Sequence, residues 1–193
     1  TGKFSVYVKY LAPDAIRGRE VLYTEGENDG DLWVTKGGQG ALNNVTASLD
    51  PTGSRAMQDN RYPITEVGML NLTARLIDEG TRYAIADANM ECQVRDLRGA
   101  RINGRDCRYI EVKFPRHRDG LRFHVAQVFI DEELEVPVRF VSYGWPEKEG
   151  EKAPLLEEYT YTEIALNQDF TDADFDRDNP AYRFYVPEED DVK

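Results

Sequence analysis

No stretch of this chain stays apolar for the roughly 18 residues that a membrane-spanning helix needs, and no basic start leads into an apolar run. No transmembrane segment is therefore predicted in this stretch, and a signal peptide is expected to have been removed from it. The chain instead enters a strand pattern at once, from Phe4, which reads as the trimmed start of a longer protein. Clustered cations are scarce too: the formal charge is −12 and the Lys and Arg residues are spread through the strand segments. Phosphate backbones need massed cations to displace their counterions, so nucleic acid is excluded as a partner. Histidine is limited to His117 and His124, with no His-x-x-x-His and no Cys-x-x-Cys, which leaves a zinc site unsupported. His124 falls inside a strand pattern and reads as a half-exposed sheet residue rather than a general base.

The catalytic signatures are missing as well. There is no Gly-x-Ser-x-Gly elbow, and Gly37-Gly38-Gln39-Gly40 lacks the Lys-Ser/Thr that completes a phosphate loop, so it reads as a flexible connection. Glu157 and Glu158 are neighbours on a strand and point to opposite faces, which disqualifies them as a carboxylate pair. Asp172, Asp174, Asp176 and Asp178 alternate like the start of a calcium loop. Such a loop needs Gly and Glu where this chain has Arg177 and Arg183, so the match fails. The segment reads instead as one capped helical turn with Phe175 plugging the core. No cofactor, no metal and no enzymatic activity are expected.

Cysteine is nearly absent, and Cys92 and Cys107 are the two present. Placed on either side of Arg98-Gly99-Ala100, read as a turn, they come together across two antiparallel strands and are a possible disulfide worth roughly 3 kcal/mol in the chain-entropy model. A bridge would mark an oxidising compartment. The other reading is a pair of small buried thiols.

What the chain does have is β pattern. With 193 residues, 40% of them hydrophobic, it can build a sizeable core in a single domain, expected over 1–187 with a disordered acidic tail at 188–193. Phe4, Val6, Val8 and Tyr10 alternate with Ser5, Tyr7 and Lys9, a period of two that predicts a half-buried strand. Further strands are predicted over 19–25, 31–36 and 45–49, the first two joined by the hairpin Glu27-Asn28-Asp29-Gly30. Asp50-Pro51-Thr52-Gly53 fits a type I turn.

A helix is predicted from Thr65 as N-cap, with Val67, Leu70, Ala74 and Ile77 as its apolar stripe, widened by Met69, Leu72 and Leu76. Gly80 ends it, or it runs on with Tyr83 and Ile85. A strand over 90–97 then leads into one long antiparallel meander over 105–114, 122–130, 136–143 and 155–166, its connections too short for parallel crossovers. Pro137 cannot donate to a ladder, so the strand it belongs to either begins there or turns its amide side outward. About ten antiparallel strands with a helix across one face define an α+β, mostly antiparallel β fold, a curved incomplete β-barrel with a helix covering its concave side. Aromatic and aliphatic side chains wall the gap. By alternation the candidate cavity positions are Val67, Leu70 and Ile77 on the helix, with Phe4, Val6, Trp33, Tyr109, Phe123, Phe129 and Phe140 on strands.

Two stretches carry a family resemblance. Asn103-Gly104-Arg105-Asp106-Cys107-Arg108-Tyr109-Ile110-Glu111-Val112, followed by Val128-Phe129-Ile130-Asp131 and Val136-Pro137-Val138-Arg139, resembles the central pattern of the bacterial LolA/LolB-like superfamily of outer-membrane lipoprotein-sorting proteins. Glu158-Tyr159-Thr160-Tyr161-Thr162, running on to Asn167, Asp172, Phe175 and Pro180, is similar to that superfamily's closing strand and tail. The whole chain, including Asn60-Arg61-Tyr62-Pro63-Ile64-Thr65-Glu66, resembles a bacterial domain family of unknown function. The resemblance implies a secreted protein of the periplasm or cell envelope that binds a lipid or other hydrophobic small molecule, with no catalytic residues. The alternative it leaves is an interaction or scaffold module with a filled core that contacts another envelope protein. The carriers have several lid helices where one is visible here, and their lid-controlling Arg has no counterpart motif in this chain.

Overall fold

The structure is a computed structural model that describes residues 2–40, 42, 45–86, 92–148 and 150–184, the side chains of 82–86 excepted. The side chains of Tyr83 and Ile85, the expected strand start near residue 90 and the expected tail at 188–193 lie outside what it describes. Among the described residues the architecture is α+β: nine antiparallel strands in two sheets and a single α-helix. The strands expected over 105–166 do follow one another as an antiparallel meander, but the nine strands do not share one wide sheet, and neither sheet closes into a barrel. The chain divides into two compact units, the first made of Thr1–Val67 with Asn167–Lys193 and the second of Gly68–Leu166.

The first unit is a four-stranded meander, β1 (Ser5–Lys9), β2 (Glu20–Thr24), β3 (Leu32–Thr35) and β4 (Thr46–Leu49). Its register sets Val6 against Tyr23 and Val8 against Val21, then Leu22 against Trp33. Between β2 and β3 the chain turns through Asn28 and Asp29, both at positive φ. The Asn28 amide fixes this turn by donating to Asp31 O and to Ser48 Oγ. The expected turn at Asp50 is present, with the Gly53 N–H donating to Asp50 O at 3.0 Å. Gly37 and Gly38 are held firmly, which corrects the flexible connection expected there. A Cβ on Gly37 would sit 2.5 Å from the Arg19 backbone nitrogen, and the Gly38 N–H donates to Arg17 O at 2.9 Å. Glycine is needed at 37 because the backbones touch.

The segment from Asn167 returns to this unit and lies against its sheet. Asp172–Phe175 forms a single 3-10 turn closed by a capping box between Thr171 and Asp174. That use of the Asp174 carboxylate accounts for one of the alternating acids. Phe175 is half-buried against the Phe170 ring rather than sunk in the core as a plug. Further on, Arg177 lies over the Trp33 ring at 4.3 Å, Tyr182 stacks on Tyr7 at 4.1 Å, and the Arg183 N–H donates to the buried Glu20 carboxylate at 2.7 Å.

The second unit opens with helix α1 (Met69–Ala86) and continues as a five-stranded meander, β5 (Gln93–Ile102), β6 (Arg105–Lys113), β7 (Val125–Asp131), β8 (Pro137–Tyr143) and β9 (Leu155–Thr160). Thr65 is not the helix cap. It sits in a separate 3-10 turn, Ile64–Glu66, and the first helical hydrogen bond runs from the Leu72 N–H to Gly68 O. The helix passes through Gly80 without ending. Strand β8 begins at Pro137, where the missing amide hydrogen is least disruptive. Strand β9 stops at Thr160, short of the expected end at 166, and Glu163 and Asn167 beyond it adopt positive φ that no strand tolerates.

The cysteine hairpin turns at Asn103-Gly104, with φ of 49° and 82° and Ile102 paired to Arg105. That is the primed-turn geometry Asn-Gly favours. Arg98-Gly99 is instead a bulge inside β5, between the pairs Leu97–Tyr109 and Ala100–Cys107. Cys107 therefore faces Ala100, while Cys92 precedes the Gln93–Lys113 pair at the far end of the ladder. Six strand residues separate those ends, about 20 Å, and a disulfide tolerates no more than about 7 Å between Cα atoms. Both thiols are free, Cys92 exposed and Cys107 buried. Burial is the main influence raising the pKa of each, and neither supports an oxidising compartment.

Candidate functional site

Helix α1 carries apolar residues on more than one side, and the sheet chooses between them. Leu72 is 3% exposed and Leu76 packs beside it, whereas Leu70 is 82% and Ile77 65% exposed. At 100° per residue Leu70 and Leu72 lie on nearly opposite sides of the helix, so the expected stripe of Leu70, Ala74 and Ile77 is the solvent side. Periodicity could not decide this, because apolar residues at 69, 70, 72, 74, 76 and 77 cover most of the circumference.

Under Leu72 lies an aromatic layer formed by one face of the sheet and the segments at its end. Phe114, Phe123 and Phe140 are buried there with Ala126, and the Phe114 and Phe123 rings meet at 5.5 Å. Strand alternation puts Val112, Val128 and Phe140 on this face. Tyr109 and Phe129 are register partners on the opposite face, with ring centroids 4.9 Å apart. On that face the Tyr109 hydroxyl donates to Glu111 at 2.5 Å and Gln127 donates to the same carboxylate oxygen at 3.0 Å. These hydrogen bonds, the tyrosine's first, hold Glu111 below the usual carboxylate range, and burial with the Glu111 charge pushes Tyr109 up.

Trp145 closes one end of the layer. The His117 ring meets it edge-on, at 4.6 Å and 82°, and the His124 ring lies 5.9 Å away. His124 is half-buried but stands just before β7 rather than in a strand: its N–H donates to Tyr143 O and its Nδ1 lies 2.7 Å from Phe114 O. A carbonyl only accepts, so Nδ1 carries the proton. The Trp145 Nε1 atom is buried and has no acceptor.

Of the ten positions read from the sequence, Phe123 and Phe140 belong to this layer. Phe4, Val6, Trp33 and Val67 lie in the first unit, Leu70 and Ile77 face solvent, and Tyr109 and Phe129 occupy the other sheet face. The layer's remaining members include Phe114, the last residue of the strand expected over 105–114 and not singled out there, and Trp145, which sits outside the strand runs and carries no alternation signal. No group of three or more metal-ligating side chains occurs among the described residues.

These features define an α+β protein of antiparallel sheets with one helix laid on an aromatic sheet face. The chain belongs to the family described as a protein of unknown function, DUF1571, which matches residues 2–184. No curated protein matches the chain. Among solved structures it is similar to a DUF1329 family protein from Desulfovibrio piger, at 13% identity and a TM-score of 0.27, over 72% of this chain and 50% of the other. The chain thus spans half the length of that protein, and a likeness at this TM-score carries no argument. No described helix is long and apolar enough to cross a membrane.

Proposed function

We propose that the protein is a non-catalytic binding protein of the cell envelope that takes a lipid-like ligand between α1 and the aromatic sheet face. The observation that carries this reading is the light seating of α1, with Leu72 and Leu76 against the layer and Leu70 and Ile77 in water. Lifting the helix would expose the two inner leucines, at about 3–6 kcal/mol together. A twelve-carbon chain buried in their place gains about 9 kcal/mol, the term that works against the lifting and the cost of association. The envelope assignment rests on the sequence resemblance of β6 to β9 to the lipoprotein-sorting superfamily.

A second reading is supported by the near-complete burial of Leu72, Phe114 and Phe140. On it the protein is an interaction module with a filled core, contacting another envelope protein. Mass spectrometry of organic extracts, with displacement of a fluorescent fatty acid, separates the two. The first reading expects co-purified or exchangeable amphiphile; a compact protein that takes up none would leave the second. Fractionation of cells expressing the complete gene tests the compartment.

A further inference from the structure

The connection between β6 and β7 differs in charge from the rest of the molecule. In a chain of formal charge −12, residues 113–124 hold Lys113, Arg116, Arg118 and Arg122 against the one acid Asp119, together with both histidines. The connection leaves the aromatic layer at Phe114 and rejoins it at Leu121 and Phe123, so its cations rim one end of the apolar space. Arg122 ties it to the helix, with Nη1 3.2 Å from Glu79 Oε1. At the same end stands Trp145, with the His117 edge against its ring and an indole N–H that is buried without an acceptor. Buried indole donors ordinarily find a partner, so this one calls for an explanation. An indole N–H and guanidinium groups are donors that suit an oxyanion, whereas the His124 Nδ1–H is committed to Phe114 O.

We propose that this end of the layer is an anion site for the headgroup of a single-chain amphiphile, with a carboxylate or phosphate oxygen accepting from Trp145 Nε1. Arg116 and Arg118 supply the positive charge. Guanidinium groups match the geometry of both oxyanions, and a local positive field in an acidic protein selects anionic over neutral heads. The inference rests on the preceding reading for the acyl chain but not for the anion.

The test titrates dodecanoate, dodecyl phosphate, neutral monolauroylglycerol and inorganic phosphate, each below its aggregation threshold. Trp33→Phe leaves Trp145 as the one fluorescent indole, and calorimetry on the unaltered protein checks the result. Anionic dodecyl ligands are expected to shift Trp145 emission and to bind at least tenfold tighter than monolauroylglycerol, with affinity falling as salt rises. The exposed pair Arg116→Ala and Arg118→Ala should remove that preference while the affinity for monolauroylglycerol is kept. Equal affinity for neutral and anionic chains overturns the headgroup site while leaving the acyl reading intact. Inorganic phosphate binding as tightly as dodecyl phosphate overturns the amphiphile and leaves a site for free anions. Failure of all four ligands overturns both.

Discussion

Asp131 ends β7 with its carboxylate buried and fully engaged. Arg105 donates to both oxygens, and the Glu133 and Leu134 N–H groups donate to Oδ1 at 2.9 and 2.8 Å. The Arg105 hydrogen bonds, ahead of the backbone ones, bring its pKa down to about 2. A carboxylate whose folded pKa lies below its unfolded value stabilises the fold above the unfolded value, and that contribution disappears as pH falls through the folded one. The window here runs from about pH 4 down to about pH 2, and the contribution is on the order of 2 kcal/mol. Asp131→Asn should therefore lower stability by about 2 kcal/mol at pH 7, and denaturant melts at falling pH should show variant and parent converging near pH 2. A difference that persists unchanged at pH 2 would assign the loss to shape rather than charge. None of this is legible in sequence, because Arg105 and Asp131 stand 26 positions apart. The turn beside them was misplaced at Arg98-Gly99-Ala100 when read from sequence, although Asn103-Gly104 carries the local chemistry of a primed turn.

At the scale of elements, α1 shows where pattern reading stops. A helix was legible from its apolar spacing, but its buried side was not, because two apolar sides satisfy the same period and the sheet below selects one. Leu72→Ala should destabilise by about 3 kcal/mol, and Leu70→Ala by less than about 0.5, in chemical denaturation. Comparable losses at both positions would mean that the solvent side of α1 is packed. The returning segment of the first unit offers a similar contrast. Its acids invited a metal reading, yet its attachments are Arg177 on Trp33, Tyr182 on Tyr7 and Arg183 on Glu20, partners drawn from β1 to β3. Burial first, and then the Glu20 charge, pushes the Tyr7 pKa up to about 12, so the ring stays neutral where a free tyrosine would ionise. Tyr182→Ala removes the stacking partner, and hydrogen exchange at the Arg183 amide should accelerate at least tenfold while amides of β5 to β9 keep their protection. Unchanged exchange at Arg183 would show that the Glu20 bond holds the segment without the stack.

At the scale of the whole molecule, the individual strands were legible and their division into two sheets was not. Short connections and alternating residues identify neighbours within a meander, and they hold within β1 to β4 and within β5 to β9. Nothing in alternation marks the interruption between β4 and β5, where the chain stops pairing and inserts a helix. The division has a physical consequence. All five strands of the second sheet, the helix and the buried aromatic cluster fall within the continuous stretch Gly68–Leu166, whereas the first unit needs both chain ends. A segment of about 100 residues with its own core exceeds the size below which domains need staples. The fragment 68–166 should therefore fold alone, showing a cooperative thermal transition and dispersed aromatic resonances. The complementary truncation at 166 should leave the first sheet impaired, because it removes the residues that cover Tyr7, Trp33 and Glu20 while leaving β1 to β4 in place. If 68–166 were to expose its aromatics and melt without cooperativity, the second sheet would depend on the first unit for its fold. The aromatic layer under α1 would then have to be studied only in the full chain. A cooperative fragment would instead let amphiphile binding be measured on the helix and its sheet alone, with Trp145 as the single tryptophan.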